Sequence, residues 1–164
     1  MKSTRSTLTL ISLVVCGALS VTVSRIARAT PPTGFTRTIL AGPIRLDETH
    51  VDTLYPDWKA KLHFQGESDM WLADIHIAPG GDTGWHSHPG PVFVSIVSGV
   101  ATEYHADDCS QHIHLPGTGF LEPGGDEAAH DVRNEGSTDL HLYALFIVPA
   151  GSPTRIDQPA APCF

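Results

Sequence analysis

His86 and His88 stand one residue apart in residues 80–99, Gly-Gly-Asp-Thr-Gly-Trp-His-Ser-His-Pro-Gly-Pro-Val-Phe-Val-Ser-Ile-Val-Ser-Gly. In a strand, residues i and i+2 point to the same face. Two imidazoles then aim at one point, beside a glycine-rich turn and ahead of an apolar run. Converging neutral imidazoles are a common beginning of a transition-metal site. His130 is the expected third ligand. It lies on a short segment between two turns, Pro123-Gly124-Gly125 and Asn134-Glu135-Gly136. Imidazoles alone do not choose among iron, zinc, copper, manganese and nickel, so the expected cofactor is one divalent transition metal of open identity.

The remaining histidines of the ten in the chain carry weaker signals. His76 alternates with Ile75 and Ile77 on the strand that leads to the first pair. If its face lines the interior, it supports the metal ligands from behind. Glu122 and Glu127 flank the segment of His130, and Glu122 is the candidate supporting carboxylate. His50 reads as a loop residue, His105 as a residue near a turn, His63 and the pair His112 and His114 as strand residues near solvent, and His141 as structural. Trp71, Trp85, Phe93 and Phe120 are either pocket lining or core.

The elements that must position these residues are short strands. Residues 36–46, 59–64, 70–78, 92–97, 100–104, 112–115, 119–122, 128–132 and 140–148 are β-branched, apolar or alternating, with Gly and Pro between them. Residues 92–104 read as a hairpin about Ser98-Gly99. No window of a dozen residues after Ala29 has helical periodicity. The expected class is all-β, a jelly-roll barrel.

Lys2 and Arg5, an uncharged and mostly apolar run over residues 7–23, and Ala27-Arg28-Ala29 follow the order of a secretory signal peptide cleaved after residue 29. A retained anchor is the competing reading. The expected division is a signal peptide over 1–29, a linker over 30–34, a barrel domain over 35–148 and an irregular tail over 149–164. The expected location is outside the cytoplasm, in the periplasm or extracellular. Beyond Ala29 there are 6 basic and 18 acidic residues. That balance argues against nucleic acid and anionic membranes as partners and offers no basic surface to a phosphorylated ligand. Cys109 and Cys163 are the cysteines left after cleavage. In an oxidising compartment a disulfide between them is expected, worth about 4 kcal/mol on the chain-entropy account.

Together these residues resemble the cupin superfamily, in particular small single-domain cupins of the quercetin-dioxygenase-like kind. Gly80, His86, His88 and Gly99 fall at the spacings of the first cupin motif. Gly117, Pro123, Gly125, His130 and Asn134 match the second, with four residues instead of two between Gly125 and His130. The resemblance implies a double-stranded β-helix and a metal held by His86, His88 and His130. The first motif's glutamate position is Val92, followed by Phe93, and neither binds a metal; Glu122 or Glu127, flanking the second motif, is a candidate replacement carboxylate. Three neutral ligands leave the ion its full charge, which favours an anionic chelating ligand such as an enolate or carboxylate. The resemblance implies dioxygenase-like chemistry on a small organic molecule, with a non-catalytic module that binds a metal or small ligand in the cell envelope as the alternative. It further implies pairing into a homodimer.

Overall fold

The computed structural model describes residues 28–162, apart from the side chains of Asp126 and Glu127. The leader, with its cleavage site up to Ala27, and Cys163 lie outside the described residues. Twelve strands form in chain order: β1 (Thr33–Leu46), β2 (Thr49–Tyr55), β3 (Trp58–Phe64), β4 (Ser68–Asp82), β5 (His86–His88), β6 (Val92–Ser98), β7 (Ala101–His105), β8 (Gln111–His114), β9 (Gly119–Glu122), β10 (Gly125–Arg133), β11 (Leu140–Pro149) and β12 (Ile156–Asp157).

Two antiparallel halves face each other. One has the order β1-β4-β11-β6-β9 and the other β12-β5-β10-β7-β8. They meet where Arg133 of β10 pairs with Asp82 of β4. The result is the double-stranded β-helix expected from the sequence, a nearly closed barrel. Strand alternation explains its filling. Ala73, Ile75 and Ile77 of β4, Val92, Val94 and Ile96 of β6, and Leu140, Leu142, Ala144, Phe146 and Val148 of β11 point inward and form one buried cluster. Their neighbours in sequence, such as Asp74, Phe93 and Tyr143, point outward.

Four expectations about elements are corrected. β6 and β7 are not a hairpin: β6 pairs with β11 and β9, whereas β7 pairs with β10 and β8. At Gly99 the chain passes from one half of the barrel to the other. Its φ is +78°, and a Cβ there would lie 2.7 Å from the Asp139 oxygen and from Leu140 Cα, so no other residue fits without displacement. His50 lies in β2, in register with His63 of β3, not in a loop. Within residues 30–34, expected to be a linker, β1 begins at Thr33 and the Thr30 hydroxyl accepts from the Trp85 N–H. The tail is only partly irregular, because β12 pairs Ile156 and Asp157 with Ser87 and His86.

β2 and β3 form a separate two-stranded arm with an exposed apolar tip of Leu54, Tyr55 and Trp58. Cys109 sits at the turn between β7 and β8 with a φ of 59° and is disulfide-bonded. The expected partner, Cys163, falls outside the described residues.

Candidate metal centre

Short β5 carries His86 and His88 into the barrel, and β10 brings His130 into register with His86. All three rings are buried. The extra residues between Gly125 and His130 are absorbed by an irregularity in the ladder. Gly125 pairs with His88 and His130 with His86, so five steps on β10 span two on β5. A bulge of this kind re-aims a side chain without breaking the sheet. The second motif therefore keeps its geometry despite its altered spacing. Gly84, at φ +64°, lets the N-terminal segment lie against the approach to His86, since a Cβ there would meet the Thr30 oxygen at 2.2 Å.

Each ring is oriented by a carbonyl. Nδ1–H of His86 donates to Gly84 at 2.8 Å, that of His88 to Thr154 at 2.6 Å and that of His130 to Ala128 at 2.9 Å. A carbonyl only accepts, so these bonds place a proton on each Nδ1. In the neutral ring Nε2 is then a bare lone pair. The three histidines offer ligand atoms within 4.8 Å of one another. His130 Nε2 is buried and faces Glu122 Oε1 at 3.4 Å.

Glu122 completes the cluster. It is buried, with Oε2 3.1 Å from His88 Nε2 and Oε1 3.4 Å from His130 Nε2. Ligands each about 2.1 Å from one shared ion stand roughly 3.0–3.4 Å apart. The three histidines thus fit a divalent cation, and the Glu122 carboxylate lies against two of them at distances open to either a ligand or a hydrogen-bonding neighbour. Glu122 is the cross-strand partner of Val92, the position where the resemblance expects a glutamate. Directly opposed residues of an antiparallel pair share a face. The carboxylate absent from β6 therefore enters the same space from β9.

Burial works to lower the His130 pKa, but the Glu122 carboxylate beside it raises it overall. Burial likewise works to raise Glu122, but the charge of His130 and bonds from His130 and His88 outweigh it and hold the carboxyl well below its usual range. His86 is pushed well below the ordinary imidazole value, by burial first and then by His130 and His88.

Beside the cluster lies a cavity of about 80 Å³, several times what one water needs. Its wall includes Phe35, Val94, Phe120, Leu142 and Phe146, with Arg37 and Arg155 among them. Arg37 donates to the Thr154 hydroxyl at 2.8 Å and lies 4.9 Å over the Phe146 ring. Burial and the like charge of Arg155 lower its pKa. Arg37 Nε and Arg155 Nη2 are buried without hydrogen-bond partners. The net acidity of the chain concealed this basic pair, and no motif marked it. Arg155 lies in the proline-rich tail, which has no strand pattern to indicate which way its residues face.

The other expected residues disperse. His76 is on the outer face of β4, because Ile75 and Ile77 take the inner one, so it does not support the metal ligands. Of the four aromatic candidates, Phe120 lines the cavity. Trp71 packs against the core, Trp85 joins a smaller cluster with Tyr104 and Ala161, and Phe93 points outward. His114 is 2.8 Å and His105 3.4 Å from buried Glu103, while His112 is exposed.

A family model for the cupin domain matches residues 73–149, which include both histidine segments. No curated protein matches the chain. Among solved structures, the polyketide cyclase RemF from Streptomyces resistomycificus is similar with a TM-score of 0.54 at 14% identity, over 84% of this chain and 82% of that one. A cupin-2 domain protein from Rhodospirillum rubrum is similar with a TM-score of 0.52 at 14% identity, over 80% of this chain and 69% of that one. At such identities the likeness carries the fold.

Proposed function

This chain belongs to the cupin superfamily, and we propose that it holds one divalent transition-metal ion through His86, His88, His130 and Glu122 and acts on a small organic anion in the adjoining cavity. The observation that carries this reading is the convergence of buried Nε2 atoms and one buried carboxylate, each imidazole oriented by a carbonyl. The ion, when bound, supplies Lewis acidity and, if it is iron, copper or manganese, redox chemistry with oxygen. The chain's own residues do the rest. The three carbonyls fix the imidazole tautomers. Arg37 and Arg155 present unpartnered N–H groups to a carboxylate or enolate. Phe120, Phe146 and Leu142 take the apolar body and exclude water.

The specific activity proposed is a dioxygenase-like oxidation, carried out after export through the N-terminal leader. A second reading is a binding module without turnover. Glu122 favours it: this carboxylate is already engaged with two histidines and is not free to act as a general base. Metal analysis by mass spectrometry on protein purified without an affinity tag tests the common part. One equivalent of metal, lost in His86→Ala and His130→Ala, is the expected result. No metal in the wild-type protein after supplementation overturns it. With the metal bound, oxygen uptake on a panel of aromatic carboxylates and β-diketones separates the two readings. Uptake supports the dioxygenase-like reading, and binding of a panel member without any conversion supports the module.

A further inference from the structure

The outer face of the barrel carries a second convergence of ligand atoms. The alternation that sends Ile75 and Leu142 into the core sends Asp74 and His76 of β4, and His141 of β11, to the outside. His141 is the cross-strand partner of His76. Their rings lie parallel, with centroids 4.2 Å apart and an interplanar angle of 8°. Both present Nε2 to one carboxylate oxygen: Asp74 Oδ1 is 2.9 Å from His141 and 3.3 Å from His76. One ligand atom from each residue lies within 4.8 Å of the other two.

Two further observations separate this group from an ordinary surface ion-pair cluster. Asp74 Oδ1 and His141 Nε2 are both buried, yet neither makes a hydrogen bond, although they are close enough for one. The Nδ1 of His76, on the far side of its ring, is 2.6 Å from Asp139 Oδ2. A carboxylate there accepts a hydrogen bond from Nδ1–H, and in that tautomer of the neutral ring Nε2 is a lone pair directed at Asp74. That carboxylate–histidine arrangement is how metal-binding imidazoles are oriented. Two imidazoles and a carboxylate, with one side open to solvent, suit zinc and its neighbours.

We propose that Asp74, His76 and His141 form a second divalent-cation site on the outer face of the sheet, with Asp139 orienting His76. The site is independent of the one inside the barrel. His76 is half exposed, so an ion reaches it directly and water completes its coordination.

The test is zinc stoichiometry by equilibrium dialysis on the tag-free chain. The wild-type protein is expected to take up two equivalents and His141→Ala one. The double variant His86→Ala/His130→Ala is expected to keep one, which disappears when Asp74→Asn is added. Asp139→Asn is expected to keep that equivalent with affinity weakened about 10- to 100-fold. Cobalt(II) absorption spectra of the same proteins report the ligand set directly. If the barrel variant does not fold, the comparison of wild type with His141→Ala and with Asp74→Asn decides alone. Uptake identical in the wild-type protein and both outer-face variants overturns the proposal, whatever the inner site binds.

Discussion

His86 and His88 were readable because their chemistry and their geometry share one spacing: in a strand, two apart means side by side. Glu122 has the same chemistry but reaches the ligands through a pairing that no local spacing reveals. It faces Val92 across β6 and β9, which places it beside His88 and His130. On the proposed reading, Glu122 supplies from the neighbouring strand the carboxylate that Val92 cannot. Two variants test that account. Glu122→Gln removes the negative charge and is expected to lower metal affinity at least about tenfold, since even groups behind the ligands are worth 10- to 100-fold. Glu122→Val combined with Val92→Glu returns a carboxylate from the opposite strand and is expected to recover most of that loss. Competition with a chromophoric chelator measures both. A double variant no better than Glu122→Val alone rejects the interchange of the two positions.

At the scale of elements, the strands with clean alternation or dense β-branching lay where their pattern put them. Partnership was hidden. β6 and β7 are adjacent in sequence and separated by a turn-like Ser98-Gly99, yet they sit in opposite halves of the barrel. Burial on both sides outweighs the local hairpin signal there. The long strand β4 is the element on which the first half depends, and Asp69 fastens its beginning. The Asp69 carboxylate accepts from the Gly151 N–H at 2.7 Å and from Arg45 Nε at 2.7 Å. These bonds, the Gly151 one foremost, hold its pKa below the ordinary carboxylate value. A group lowered by folding stabilises the native state above its unfolded pKa, about 3.9, and that stabilisation fades as pH falls through the lower folded value. Asp69→Asn is therefore expected to lower the urea midpoint at pH 7. The gap to the wild-type protein should narrow steadily below about pH 4. A gap independent of pH between 7 and 2 would mean that the charge on Asp69 contributes nothing.

Among the described residues, the first and last stretches meet around the site. The isolated pairing of Ala29 with Pro159, the Thr30 contact with Trp85 and the β12 pairing with β5 bring the first and last stretches of the described residues against the strand that carries His86 and His88. Proline-rich composition made the tail read as irregular, yet it supplies the Thr154 carbonyl that orients His88 and the Arg155 guanidinium of the cavity. The main core cluster contains no residue beyond Val148. Removal of residues 150–164 should therefore leave the barrel folded by circular dichroism while weakening metal binding about 10- to 100-fold, as loss of an orienting partner does. Because the truncation also removes Cys163, the proposed partner of Cys109, reduction of the full-length chain is the necessary companion measurement. If β12 and its hydrogen bonds hold the tail, the reduced protein keeps its metal and loses only the stabilisation of the cross-link, about 4 kcal/mol at most. Metal loss on reduction equal to that on truncation would instead make the cross-link, and with it the redox state of the compartment, the element that keeps the centre assembled.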